Sequence, residues 1–196
     1  MNNFLAVDTS SRYLTVLAVK DGKPFLRHLP DCAMRHSVML MDEIDKTLTQ
    51  AGLTPAECGF FCAVTGPGSF TGIRIGISAM KGFALGTGKK LKPVTSFDLI
   101  AYNVADENFY VCIDAAHEHY YVCGYGKNLL EPCYLSKEEV SALDAPKYGF
   151  EDLPLENYRK LDAGACLYPA VCACDNLSDE MYAQYVRKSQ AEENLK

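Results

Sequence analysis

Apolar residues recur in two different periods along this 196-residue chain. FLAV at 4–7 is a short apolar run that stops at Asp8. After the polar stretch DTSS, residues 13–19 (YLTVLAV) are rich in β-branched and aromatic side chains, the strand formers. Asp21-Gly22 is a hairpin signal and 24–29 continues as a third strand, so the chain opens on an antiparallel meander. At 36–51 (HSVMLMDEIDKTLTQA) the period changes. Ser37, Met41, Ile44 and Leu48 fall at i, i+4, i+7 and i+11, and Met34 and Val38 extend the stripe, which predicts a helix closed by Gly52. Thr54-Pro55 opens a short turn, and GFFCAV at 59–64 predicts a buried strand. The loop TGPGSFTG leads to a second helix from about Ile73 to Leu85. An extended piece at 93–96 and a third helix at 97–104 follow.

The pattern then restarts. Aligning Asp8 with Asp114 sets FLAVDTSSRYLTV at 4–16 against YVCIDAAHEHYYV at 110–122. Both read apolar strand, Asp, two small residues, polar break, second strand. A match at about half the chain length predicts a duplicated, hairpin-containing domain. The expected division is 1–107 and 108–196. Beyond 127 the signal weakens: SKEEVSA at 136–142 carries a capping box, 144–160 reads as loop, and the polar tail YAQYVRKSQAEENLK reads as exposed.

Composition narrows the classes. Hydrophobic residues are 48% and charged residues 22%, values of an ordinary folded chain. A net charge of −6 argues against a broad nucleic-acid surface, which needs clustered Lys and Arg. Nine cysteines form no C-x-x-C pair, which removes the zinc-ribbon and thioredoxin readings. The opening MNNFLAVDTS lacks a basic signal region, and no apolar run approaches a membrane span. These features predict a cytoplasmic protein with cysteines as apolar packing residues.

Thr65 to Gly86, TGPGSFTGIRIGISAMKGFALG, follows a strand and opens a helix, where backbone amides can hold an anion. It fits neither the phosphate loop, nor the dinucleotide fingerprint, nor the nucleophile elbow. Its glycines make better sense as packing. Gly72/Gly76 and Gly82/Gly86 are each spaced by four, so each pair gives a flat notch for a close neighbour, at about 1 kcal/mol of helix propensity per glycine.

GPGSFTGIRIG closely resembles the signature of the TsaB (YeaZ-like) family of bacterial tRNA threonylcarbamoyladenosine synthesis. LAVDTSS, RHSVMLMDEIDKTL, VTSFDLIA, IDAAHEHYYV and YVRKSQAE resemble further family segments, most strongly over 4–125. Ala116 stands where the family usually has Arg. The resemblance implies an α/β, actin-like (sugar kinase/Hsp70-type) duplicated fold of two RNase H-like halves, the second shortened. It implies a non-catalytic scaffold that pairs through its first two helices with a TsaD-type enzyme, joined by a TsaE-type ATPase. By that analogy Ser37, Met41, Ile44, Leu48, Ile73, Gly76, Ile77 and Met80 are candidate interface positions. Self-pairing of the same face when alone, and only indirect contact with tRNA, are further expectations.

Two enzymatic readings compete. A glycoprotease-type metallopeptidase needs a helical His-x-x-x-His pair, but His36 is followed four residues later by Leu40. His117-x-His119 has no third ligand in view. A small actin-like ATPase would use Asp8, Thr9, Ser10, Gly68 and Ser69 as phosphate or nucleotide contacts, but no second phosphate loop is evident. ATP or ADP at a partner interface is the one cofactor expectation; no metal is expected.

Overall fold

The meander forms as expected. In the computed structural model, which describes residues 3–187, β1 (Phe4–Asp8), β2 (Leu14–Lys20) and β3 (Lys23–Leu29) pair antiparallel in succession. Helix α1 (His36–Ala51) matches its expected span and ends where Gly52 takes the left-handed conformation at φ 59°. β4 (Phe60–Val64) then lies parallel to β1. Helix α2 (Phe70–Thr87) starts earlier and ends later than expected. Ser69 caps its start by accepting from the Gly72 amide, and left-handed Gly88 closes it. β5 (Lys90–Val94) precedes the expected extended piece, because Thr95 and Asp98 already form the capping box of α3 (Ser96–Ala101). The resulting sheet has the order β3-β2-β1-β4-β5.

β1 and β4 are buried at every position, as parallel strands covered on both faces must be. One face carries Leu5, Val7, Phe61 and Ala63 against Ile44, Leu48, Ile73 and Met80 of α1 and α2.

The second half rebuilds the sheet. β6 (Phe109–Asp114), β7 (His119–Tyr125) and β8 (Leu130–Ser136) form a second meander, with α4 (Lys137–Ser141) capped by Ser136 and Glu139. Residues 144–160 are not simply loop: β9 (Lys147–Gly149) and β10 (Tyr158–Lys160) add parallel to β6. Strands of three residues are too short to show a period. The order β10-β9-β6-β7-β8 repeats the first sheet strand for strand, the duplicated actin-like arrangement expected from the repeat. The shortening falls on the helices. The five-residue α4 stands where the first half has the 16-residue α1, and no helix joins β9 to β10 where the first half has α2. Val140 anchors α4 among Cys112, Tyr120, Val122 and Leu155 in a small core.

The expected two-part division changes at its second boundary. One unit holds residues 3–103 with 163–183, and the other holds 104–162 with 184–187. Helix α5 (Ala163–Ala173) therefore belongs to the first unit. The physical reason is a buried cation. Lys92 of β5 donates to the carbonyls of Val171 (3.1 Å) and Cys174 (2.7 Å), the open carbonyls at the end of α5, and lies 4.6 Å from the Phe60 ring centre. Beyond α5, Leu91 and Ser178 exchange two backbone hydrogen bonds of 2.8 Å, and Met181 is buried in the first core. Of the tail expected to be exposed, Tyr182 and Tyr185 are, and 188–196 lie outside the described residues. No helix among the described residues is long and apolar enough to cross a membrane.

Candidate functional site

The glycine-rich segment is built around the first aspartate turn. The Ser10 amide donates to Asp8 Oδ1 at 2.8 Å, and the Ser69 amide donates to the Ser10 carbonyl at 2.6 Å. Thr9 Oγ1 donates to the Gly72 carbonyl at 2.7 Å. A β-carbon on Gly72 would stand 2.1 Å from the Thr9 carbonyl oxygen, and one on Gly76 would stand 2.5 Å from Thr9 Oγ1. One on Gly68 would reach 2.2 Å from the Ser10 carbonyl oxygen. Only glycine permits this approach, so the Gly72/Gly76 notch receives the chain's own turn rather than another helix. Gly82 and Gly86 behave differently: a β-carbon there would meet nothing within 4 Å.

The candidate nucleotide contacts do converge, but on one another. Asp8, Thr9 and Ser10 are buried, and the Ser69 hydroxyl serves as the cap of α2. Burial pushes the Asp8 carboxyl above its ordinary value, against lowering hydrogen bonds from Ser10 and Tyr13.

Most of the cysteines, and His36, are buried in the packing, while Cys172 and His117 are exposed. Burial raises the Cys58 thiol to about 11 and the Cys112 thiol to about 12, and raises Cys62 further. The His36 ring is buried with Nε2 at 2.9 Å from the Tyr13 carbonyl oxygen. His119 stacks on Tyr134 at 4.7 Å, and Glu118 pairs with Lys137. Among the described residues no three His, Cys, Asp or Glu side chains gather as a metal site.

The outer surface of α1 and α2 is different in kind. Six of the eight candidate interface residues, Ile44, Leu48, Ile73, Gly76, Ile77 and Met80, are buried, and only Ser37 and Met41 are exposed. The correction has a geometric cause. The apolar positions of α1 and of Met34, in the turn before it, fall on two sides, not one. Leu40, Ile44 and Leu48 face the sheet, whereas Met34, Val38 and Met41 face outward, 96%, 73% and 53% exposed. Phe70 and Leu85 of α2 are also exposed, and sequence reasoning missed both. The available signal was width: an apolar band broader than one packed face needs.

Between the two helices runs a groove of about 490 Å³ lined by Ser37, Met41, Phe70, Arg74 and Ala79. The Arg74 guanidinium lies 3.8 Å from the Phe70 ring centre, leaving a polar rim on an apolar floor. A second hollow of about 500 Å³ continues past Met41 to Leu48, Leu53, Pro55 and Phe83.

The architecture defines the class first: a duplicated α/β chain with its elaborated helices on the first half. Comparison with known proteins then gives the family. The family model described as TsaD, tRNA N6-adenosine threonylcarbamoyltransferase, matches residues 29–153. TsaB of Bacillus subtilis is 27% identical over 99 residues, covering 50% of this chain and 43% of that protein. TsaB of Haemophilus influenzae is 30% identical over 122 residues, covering 60% and 51%. A solved protein described as similar to the peptidase YeaZ from Pseudomonas aeruginosa superposes with a TM-score of 0.78 at 21% identity, covering 95% of this chain and 100% of that one. YeaZ from Pseudomonas aeruginosa gives 0.64 at 22% identity, covering 76% and 75%. The chain belongs to the TsaB/YeaZ family, related to TsaD. It spans about half the length of the curated relatives it matches.

Proposed function

We propose that this chain acts in the threonylcarbamoyl modification of adenosine in tRNA as a docking partner of a TsaD-type paralogue, through the outer face of α1 and α2, and supplies no catalytic group. The observation that carries this reading is the exposed row Met34, Val38, Met41 beside the α1–α2 groove. It supports docking because Thr9, Ser10, His36 and Ser69 of the same unit are already hydrogen-bonded within the fold. Family membership supports the choice of a TsaD-type partner, with a TsaE-type ATPase as a further member of the assembly. The interface is the outward stripe together with Ser37 and the rim residue Arg74, not the buried stripe.

Co-purification of the full chain with the TsaD-type protein of its own organism tests the reading. A stable pair is expected, and Val38→Glu weakens it by about tenfold or more, as loss of an interface anchor does. The far-ultraviolet circular dichroism of the variant stays that of the parent. Failure of the unaltered chain to associate at any nucleotide condition overturns the pairing. Chelator-sensitive peptide cleavage or ATP hydrolysis by the isolated chain would restore an enzymatic reading.

A further inference from the structure

The docking face is unusual in being capped by sulfur. Met34 and Met41 are 96% and 53% exposed, while Met80 and Met181, inside the first core, are 0% and 1% exposed. The Met39 side chain is half-buried, with its sulfur 3.5 Å from Arg35 Nη2. The thioethers open to solvent among the described residues are thus concentrated on the surface proposed to dock. Met34 stands at the start of the outward row, on a backbone at φ 63° that projects it clear of the helix. Met41 holds the middle: it lines both the Ser37–Ala79 groove and the Leu48–Phe83 hollow, so a change at its sulfur alters both.

We propose that Met34 and Met41 are an oxidant-sensitive modification site whose oxidation in the undocked chain blocks docking of the partner, an inference that rests on the docking reading above. The co-reactant is a peroxide. The Met sulfur attacks one peroxide oxygen, the O–O bond breaks, an S–O bond forms, and the second oxygen leaves as water after taking up the protons. The sulfur loses two electrons and the peroxide gains them. The product sulfoxide is polar and a strong acceptor, and it disrupts apolar interfaces that a thioether fits. Seating either sulfoxide against an apolar partner strands that acceptor without a donor. Selectivity needs only access: Met80 and Met181 are shielded by the core, and in the docked pair the partner shields Met34 and Met41.

The experiment treats the full chain with hydrogen peroxide, maps sulfoxides by mass spectrometry, and titrates treated and untreated protein against the purified paralogue. Sulfoxide is expected at Met34 and Met41 well before Met80 and Met181, with docking weakened by about tenfold or more. Methionine sulfoxide reductases with dithiothreitol restore docking, whereas dithiothreitol alone, which reverses sulfenic acid and disulfide formation at cysteines such as exposed Cys172, does not. For Met34→Leu/Met41→Leu the readout is the ratio of its own affinities before and after peroxide, expected near unity. Docking unchanged after both sulfoxides have formed overturns the inference alone. So does a loss that the reductases cannot reverse. An untreated chain that does not dock overturns the pairing reading, and the inference with it.

Discussion

The two halves share a sheet and differ in what lies over it. Each opens with a strand that ends in an aspartate, and each aspartate accepts from the amide two residues on: Ser10 to Asp8 at 2.8 Å and Ala116 to Asp114 at 2.9 Å. In the first half α2 descends on that turn, and Gly68, Gly72 and Gly76 let its backbone and side chains touch it. In the second half no helix follows β9, and Asp114 stays exposed. There the turn is held from within, with Ala116, His117 and Glu118 all in left-handed conformation at φ 63°, 54° and 56°. Glu118 bonds Lys137 besides. Gly72 and Gly76 are thus the cost of bringing this helix onto the turn, whereas Gly82 and Gly86 of the same helix meet no neighbour.

The largest break in this comparison comes at Gly76. Gly76→Leu puts a branched side chain where Thr9 already stands, and overpacking with no room to shift costs about 3 kcal/mol or more. Loss of the cooperative urea transition, followed by circular dichroism, is expected. Gly82→Leu, a turn and a half further along the same helix, meets open space and keeps that transition. Equal destabilisation by the two would show that the notches are alike. The next effect separates the stripes of α1: Ile44→Ala in the core loses about 2–5 kcal/mol, while Met41→Ala on the outer stripe stays within about 0.5 kcal/mol. Reversed values would return the interface to the buried stripe.

Much of this was legible in the sequence because the first half is locally consistent: hairpin signal, single-period helix and terminal glycine agree, and the bounds of α1 fall at 36–51 as read. The repeat was legible because Asp8 and Asp114 keep the same turn. What escaped was set by tertiary context. β9 and β10 are three residues each and exist only as ladders on β6 and on each other. The return of α5 to the first unit depends on Lys92, a charge no pattern marks as buried. At the candidate interface, helical spacing groups Met41 with Ile44, and packing shows that one faces out and the other in.

The third effect is a slope with pH. Burial raises the folded Asp8 carboxyl above its ordinary value of 3.8. Its contribution is full below that ordinary value and is lost as pH rises through the raised folded value. Glu43 has the opposite sign. Burial pushes it up, but Arg27 and Lys46 bond it and hold it below its ordinary 4.5, so its contribution is present above 4.5 and lost as pH falls through the lowered value. Urea midpoints measured from about pH 2 to 8 check both. Asp8→Asn is expected to lose less on going to neutral pH than the parent, and Glu43→Gln to lose less on going to acid.

The smallest effect tests the uncovered turn. Ala116 has φ 63°, a conformation that costs a residue with a β-carbon about 1–2 kcal/mol and costs glycine little. Ala116→Gly removes that strain but gives the unfolded chain more freedom, so the net gain is about 0.5–1 kcal/mol in urea stability. The gain should appear as slower amide exchange across β6 and β7, the strands that the turn joins, with α1 and α2 unchanged. A loss of stability would mean that Ala116 packs against something that glycine gives up, and that the second turn, like the first, is held from outside.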